Sequence, residues 1–508
     1  MKKFSVLIAL ALLAVAGTGY AVTCAYDNVP AATLLVPYFK VSRNDSTGGD
    51  IPTDRGVNTL VAITNVSSNG VIVHASIWNK YSHTVLDWNI PMTGFDVAII
   101  DMRAVLNGNL NSNANLQKPG ATDACKTAPG FGQTRYVRFT HPDASLNGTD
   151  FRNAISIYNV PAFSGAFRTK VWDSLDESGD ISGMNAAGAN TVDADNPACP
   201  GMPTDGSYAG DFSGYMTLDV VNYCTNWFPD QAEFYVNDAI ATSGWGPTYT
   251  PNAIMGDIFF IDRNPNGGNI SGEIAIPMEY DVRLENWVVN KTFFGRYQGY
   301  ELLSAGANPF VPAAYRFWGD GREPLGYRYG FRYLLDSTTA PTLQTWAIVW
   351  RSDLWDNPNI IDDINLCDWA YEGGPKGYGH WTLDHRLTAF VYDLDEKINV
   401  VSGGCPSGVC GEQADLYVFL EAQRVLVAPN QEFNPGNFLG GWADVFFNSN
   451  EGVEAGYADP HFFNQAYVGV QHSGAGLASS VGYSATLLNN QFLCSPSIYV
   501  EVGNSNPR

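Results

Sequence analysis

The residues from Asp262 to Glu273 form the stretch whose types and spacing most directly suggest chemistry. Their sequence, DRNPNGGNISGE, satisfies the calcium-loop pattern D-x-[DN]-x-[DN]-G-x5-E. In that pattern, alternate oxygen-bearing side chains converge on one hard cation while a glycine permits the sharp turn. The candidate calcium ligands are Asp262, Asn264, Asn266 and Glu273. Because the flanking segments are strand-like rather than helical, an ordinary hairpin loop is the alternative interpretation.

The stretch from Trp350 to His385 combines aromatic rings with many carboxylates. Aromatic faces beside carboxylates suit sugars, whose apolar faces stack on the rings while their hydroxyls are hydrogen-bonded. The candidate glycan-binding residues are Trp355, Trp369, Trp381 and Asp368. The alternative is that these aromatics cover the end of a domain, because tryptophan is highly buried on average. His380 and His385 with Asp384 form a weaker candidate metal site.

Motifs of several enzyme classes are absent from the sequence. It contains no HExxH, GxSxG or CxxC and no phosphate-binding glycine motif, which argues against metalloproteases, α/β-hydrolases, haem attachment and nucleotide-dependent enzymes. A glycosidase needs only two carboxylates, and the sequence does not distinguish two among its 51. We therefore predict no catalytic residue and no required cofactor, with calcium as the one cation that the sequence suggests.

The amino terminus predicts export from a bacterial cell. Lys2 and Lys3 precede the apolar run 4–16, and the small-residue pattern ending at Ala21 predicts a signal peptide over residues 1–21. A lipid anchor on Cys24 is the alternative, although Thr23 occupies a place where lipoprotein signals normally carry Gly, Ala or Ser. No later segment has about 18 uninterrupted apolar residues, so we expect no transmembrane helix. The expected location is the cell surface or the extracellular space, with the periplasm as the alternative.

Charge and cysteine content narrow the expected partners and compartment. Removal of the two leader lysines leaves 26 basic residues against 51 acidic ones, a net charge of −25 that would repel nucleic acids. Eight cysteines in an exported chain predict up to four disulfides. They are Cys24, Cys125, Cys199, Cys224, Cys367, Cys405, Cys410 and Cys494. Only Cys405 and Cys410 are close enough in sequence to propose as a pair.

Hydrophobic alternation predicts an all-β protein. Residues 59–102 read as four short strands, with an Asn69-Gly70 hairpin signal between the first two. Strand-like segments from 327 to 350 repeat this design, and 508 residues exceed the size of a single core. We therefore predict two tandem β-sandwich domains, jelly-roll or Ig-like, over residues 22–280 and 281–508. The first domain carries an acidic loop excursion at 172–211, where a calcium site is the alternative to a solvated loop.

Five segments resemble an uncharacterised group of exported bacterial β-rich proteins with no assigned activity. They are TLLVPYFK from Thr33, NTLVAITNV from Asn58, GYMTLDVVNYC from Gly214, GYRYGFRYL from Gly326 and SVGYSATLLNNQFLC from Ser480. The resemblance implies export and a two-part β architecture. Two functions are expected from the sequence: an exported non-enzymatic structural or adhesive protein that self-associates, or a glycan-binding or glycoside-active protein that uses residues 350–385.

Overall fold

A computed structural model describes the strand-forming parts of the chain. The described residues are 29–42, 56–79, 84–107, 171–172, 175, 211–222, 225, 228–229, 234, 251–263, 269–280, 322, 325, 328–335, 337, 343–351, 386–395, 398–402, 422–427, 438–448, 466–474 and 483–486. They form four antiparallel sheets with almost no helix. The all-β class predicted from the sequence is confirmed.

In the described residues up to Tyr280, which we call the first half, nine strands form two sheets. The strands are β1 Thr33–Val41, β2 Gly56–Asn65, β3 Val71–Trp78, β4 Thr84–Met92, β5 Val97–Asp101, β6 Phe212–Val221, β7 Ile254–Arg263, β8 Asn269–Ile274 and β9 Ile276–Met278. Sheet 1 has the order β4-β3-β6-β1-β9, and sheet 2 has the order β5-β2-β7-β8. The helix α1, Met102–Leu106, follows β5, and the Asp101 side chain caps it by accepting a hydrogen bond from the amide of Ala104.

Eight strands from the second half form the other two sheets. They are β10 Arg328–Leu334, β11 Leu343–Arg351, β12 Arg386–Asp393, β13 Ile398–Ser402, β14 Ala422–Leu426, β15 Gly440–Asn448, β16 Ala466–Gly474 and β17 Tyr483–Thr486. Sheet 3 has the order β10-β15-β12-β13, and sheet 4 has the order β14-β11-β16-β17. Among the described strands, no sheet contains strands from both halves.

Alternation along the strands builds the first core between sheets 1 and 2. Val73 and Ile77 of β3 are buried there with Val61 of β2 and Ile258 of β7, as the period of two in these segments predicts. Pro37 lies in β1, whose pairing with β6 shifts register between Val36 and Phe39. Because proline cannot donate a ladder hydrogen bond, the sequence predicts an edge strand or a bulge at Pro37. β1 lies between β6 and β9, and the irregular register is at this position.

The Asn69-Gly70 turn joins two sheets, so the predicted hairpin between the first two strands is wrong. β2 pairs with β5 and β7, whereas β3 pairs with β4 and β6. The Asn65 side chain stabilises the connection, since its amide donates to the carbonyls of Asn69, 2.6 Å away, and Thr93, 2.9 Å away. Asn-Gly marks a reversal of the chain, but it does not determine which strands pair afterwards.

The second half packs sheet 3 on sheet 4, and sheet 4 also contacts the first half. Between sheets 3 and 4, the Thr345 hydroxyl binds both the amide and the carbonyl of Leu334 at 2.9 Å. On the other side of sheet 4, Trp350 meets Tyr215 of sheet 1 edge-on, with ring centroids 5.9 Å apart. One hydrophobic cluster therefore contains residues of both halves. In the part of the chain described above, no helix is long and apolar enough to cross a membrane.

Candidate functional site

Two of the predicted calcium ligands, Asp262 and Glu273, lie apart in the β7–β8 hairpin. Asp262 is paired with Asn269, whereas Glu273 is paired with Ile258. Glu273 therefore lies four residues further along β8, about 13 Å from the pair that contains Asp262. Asn264 and Asn266 lie outside the described residues. Calcium binding by this loop stays a prediction, and it lacks the convergence of Asp262 with Glu273 that the pattern requires.

Both carboxylates instead face sheet 4 of the second half. The Tyr467 hydroxyl donates a hydrogen bond to Glu273 Oε1 over 2.6 Å, and both side chains are buried. Burial raises the pKa of Asp262, and the Arg424 guanidinium partly offsets this effect. A side chain at Gly469 would collide with the Glu273 carboxylate, so glycine permits this close approach. The inward face of the hairpin thus joins the two halves.

The predicted glycan-binding residues Trp355, Trp369, Trp381 and Asp368 lie outside the described residues. So do the metal candidates His380, His385 and Asp384, the acidic excursion except Trp172, Leu175 and Asp211, and all eight cysteines, including Cys405 and Cys410. The first aromatic of the predicted region, Trp350, is described and is buried against Tyr215. The burial of Trp350 agrees with the alternative interpretation, in which the aromatics of this region cover the end of a domain.

A buried polar array on the outer face of sheet 1 was not predicted from the sequence. Cross-strand pairing places Asn89, His74, Asp219 and Thr33 in one row. A neighbouring row contains Asp87, Ser76 and Thr217. All seven side chains are at most 2% exposed. The alternation of residues in β3 indicates a face of mixed polarity. The polar residues that complete the array lie on β6 and β1, which are distant from β3 in sequence or pair with it only through β6.

Hydrogen bonding in this array assigns a proton to Nδ1 of His74. The Asn89 amide donates to the Thr225 carbonyl over 2.7 Å, and its Oδ1 accepts from the Thr225 amide over 3.1 Å. That orientation directs Asn89 Oδ1 at His74 Nδ1, 3.2 Å away, so Nδ1 carries a proton. The other ring nitrogen, Nε2, lies 3.5 Å from Asp87 Oδ2. This contact is an ion pair only when Nε2 also carries a proton.

The array connects the first half to the segment that leads into the second. Arg322 is fully buried, and its Nε donates to Thr33 Oγ1 over 2.7 Å. The Thr33 hydroxyl in turn donates to Asp219 Oδ1 over 2.6 Å. Buried groups of this kind need partners, because an unsatisfied buried polar group costs about 1–3 kcal/mol. The network therefore fixes Arg322 against sheet 1.

The array does not have the geometry of a nucleophilic triad. Ser76 is paired with Asp87, so the carboxylate rather than the histidine is its cross-strand neighbour. A triad requires the histidine between the nucleophile and the carboxylate. Within the described ranges, no group of three His, Cys, Asp or Glu side chains is placed to hold a metal ion. These contacts support a structural role for the array.

The outer face of sheet 3 exposes an apolar and aromatic surface, which we name the sheet 3 patch. Its members are Leu334, Tyr392, Leu394, Leu439 and Trp442. Tyr392 and Trp442 stack face to face, with centroids 3.9 Å apart and an interplanar angle of 7°. Trp442 is 40% exposed and Leu394 is 78% exposed. Large exposed apolar side chains that cluster in this way mark interaction surfaces.

Local backbone geometry holds the patch together. β15 begins with Gly440 and Gly441, and a side chain at Gly441 would collide with the Tyr392 carbonyl. The absence of that side chain lets β15 approach β12 closely, so Trp442 reaches Tyr392. Beneath the patch, the Tyr333 hydroxyl donates to the Tyr392 carbonyl over 2.9 Å. Burial, and then the charge of Asp393, raise the pKa of Tyr333, so this hydroxyl keeps its proton.

Comparison with protein-family models, curated proteins and solved structures finds no match. The resemblance to exported bacterial β-rich proteins therefore stays a prediction.

Proposed function

We propose that this protein is an exported, non-enzymatic structural or adhesive protein that acts at the cell surface or outside the cell. The observation that supports this proposal is the sheet 3 patch, which presents an exposed tryptophan stacked on a tyrosine among exposed leucines. Tryptophan and tyrosine are enriched among the residues that dominate binding energy at protein contacts. We assign the patch the role of the contact surface. The leader at residues 1–21 supports export.

We also propose that the two halves are tandem β-sandwiches, over residues 22–280 and 281–508. In support, the nine strands before Tyr280 and the eight strands after Arg322 form separate pairs of sheets. The β7–β8 hairpin, the Tyr215–Trp350 contact and the buried Arg322 hold one sandwich against the other. This arrangement suits a protein that transmits load between surfaces, because the junction is buried rather than a free linker.

Retention of producing cells on immobilised mature protein tests the proposed function. The Trp442→Ser/Leu394→Ser double variant should lower retention strongly, because it removes the exposed tryptophan and the most exposed leucine of the patch. Phe259→Ser is the matched control, since Phe259 is an exposed aromatic on sheet 2. Equal retention by the wild type and the double variant would exclude the patch as the contact surface. Recovery of the protein in the cytoplasm would contradict export.

A glycan-binding or glycoside-active protein is the second candidate. The exposed Trp442 ring, with the carboxylates of Asp393 at the end of β12 and Asp395 in the turn that follows, supports it, because aromatic faces and carboxylates suit sugars. Binding of the mature protein to a glycan array, repeated with Trp355→Ala, Trp369→Ala and Trp442→Ala, is the test. Absence of binding on a broad array would exclude this candidate.

A further inference from the structure

We propose that the sheet 3 patch pairs with the same patch on a second copy of this chain, across a two-fold axis. This inference rests on the proposed function, because it names the partner of that contact surface. Two observations support it: an arrangement of side chains that complements itself, and two opposite charges at opposite corners of the patch.

Gly440 is buried at the centre of the patch, beneath two exposed leucines. A side-chain carbon at Gly440 would lie 3.1 Å from Leu334 Cδ1 and 3.6 Å from Leu394 Cδ1. Leu334 from β10 and the turn residue Leu394 therefore flank a position that has no side chain of its own. Because Gly440 carries no side chain, these two leucines pack over the strand and form an apolar centre that a facing copy can contact.

The strand register sets the positions of the side chains around Gly440. Arg332, Trp442 and Tyr392 form one row across β10, β15 and β12, while Leu334 is paired with Gly440 in the next outward row. Asp395 lies in the turn beyond the end of β12. With strands about 4.8 Å apart and a rise of about 3.3 Å per residue, Arg332 and Asp395 lie at diagonally opposite corners of the patch.

We place a two-fold axis in the plane of contact, so that it passes over Gly440 between Arg332 and Asp395. This axis brings the patches of the two copies face to face. It places Arg332 of one copy opposite Asp395 of the other and Trp442 opposite Leu394. Each contact occurs twice, as in any isologous interface. Arg332 and Asp395 are both exposed, so both are accessible to a second copy. The patch thus offers an apolar centre with oppositely charged groups at its rim.

The overall charge of the chain affects how such pairing depends on salt. A formal net charge of −23 makes two copies repel each other at long range. Salt screens exposed charges beyond about 10 Å at 0.1 M ionic strength, whereas the apolar contact persists. We therefore expect association to strengthen between very low and about 0.1 M salt. A contact made only by rim ion pairs would weaken instead.

Charge exchange at the rim tests the pairing, with sedimentation velocity of the mature protein as the measurement. The wild type should dimerise, and Arg332→Glu or Asp395→Arg should each raise the dimer Kd by about tenfold or more. An equimolar mixture of the two single variants should form heterodimers, because both contacts become attractive across the axis. The double variant Arg332→Glu/Asp395→Arg should dimerise by itself. Trp442→Ser should be monomeric in every combination.

A wild type that stays monomeric at its highest soluble concentration would overturn the pairing. So would single variants that do not recover association when mixed. Equal thermal unfolding midpoints of the exposed-site variants are the control for folding. If the protein stays monomeric while Trp442→Ser/Leu394→Ser still abolishes cell retention, the pairing fails and the proposed function stands. If the protein dimerises as described but retention does not depend on the patch, the proposed function fails.

Discussion

The contact between Glu273 and Tyr467 distinguishes a calcium loop from a hairpin that joins the two halves. Tyr467 Oη donates to Glu273 Oε1 over 2.6 Å, and both residues are buried. If the hairpin joins the halves, Glu273 stabilises the protein through Tyr467 whether or not calcium is present. If Glu273 closes a calcium site, its contribution requires the ion.

The expected magnitude follows from the charge on the acceptor. A hydrogen bond to a charged group contributes about 1.5–3 kcal/mol to stability, and a neutral one contributes about 0.5–1.5 kcal/mol. Tyr467→Phe should therefore lower the free energy of unfolding by about 2 kcal/mol in the wild type. In the Glu273→Gln background, where the acceptor is neutral, it should cost about 1 kcal/mol. The coupling free energy of the double-mutant cycle is then about 1 kcal/mol.

Urea unfolding of the four proteins, followed by tryptophan fluorescence, measures this cycle. Each titration is run with added calcium and with a chelator. The coupling should be the same under both conditions. A coupling below about 0.3 kcal/mol would refute the contact, because that is the range in which independent sites add. A stabilisation by calcium that Glu273→Gln abolishes would refute the assignment of Glu273 to the junction.

Three further predictions concern other contacts. Gly441→Ala should destabilise the protein by about 3 kcal/mol or more, because the new methyl collides with the Tyr392 carbonyl; thermal unfolding measures this. Burial lowers the pKa of His472 below its usual 6.5, because the folded protein favours the neutral ring. The contribution of this neutral ring to the stability of the folded protein is therefore present above pH 6.5 and is lost on acidification. His472→Gln should therefore flatten the fall in unfolding free energy between pH 7 and pH 5, and an unchanged slope would contradict this. Nitrogen-15 NMR should show protons on both ring nitrogens of His74, and only on Nδ1 after Asp87→Asn; a neutral wild-type ring would contradict the ion pair.

Local patterns in the sequence predicted several elements correctly. The alternation from Val71 to Ile77 identified the core face of β3, and Pro37 predicted an edge strand or a bulge in β1, of which the structure has the irregular register. Both signals act over a few residues, because side-chain direction and the missing proline amide are local properties. The segments around Gly214 and Leu343 were likewise recognised as strands, and they form β6 and β11.

Long-range partners could not be predicted in the same way. Thr33 contacts Asp219, 186 residues away, and Arg322, 289 residues away. A single sequence contains no local feature that selects such pairs. The separation of Asp262 from Glu273 was missed for a related reason: the two residues fit a loop in sequence, but they lie on strands that pair as a hairpin. The sheet 3 patch was missed because the exposure of Trp442 depends on the whole sheet.

Hydroxyl-radical footprinting of the mature protein over a concentration series tests the central claim most directly. That claim is that the sheet 3 patch is the contact surface of this protein. Trp442 and Leu394, both exposed in the single chain, should lose reactivity as concentration rises. Phe95 and Phe259, exposed elsewhere, should stay equally reactive. Undiminished reactivity of Trp442 at concentrations where the protein associates would contradict the claim.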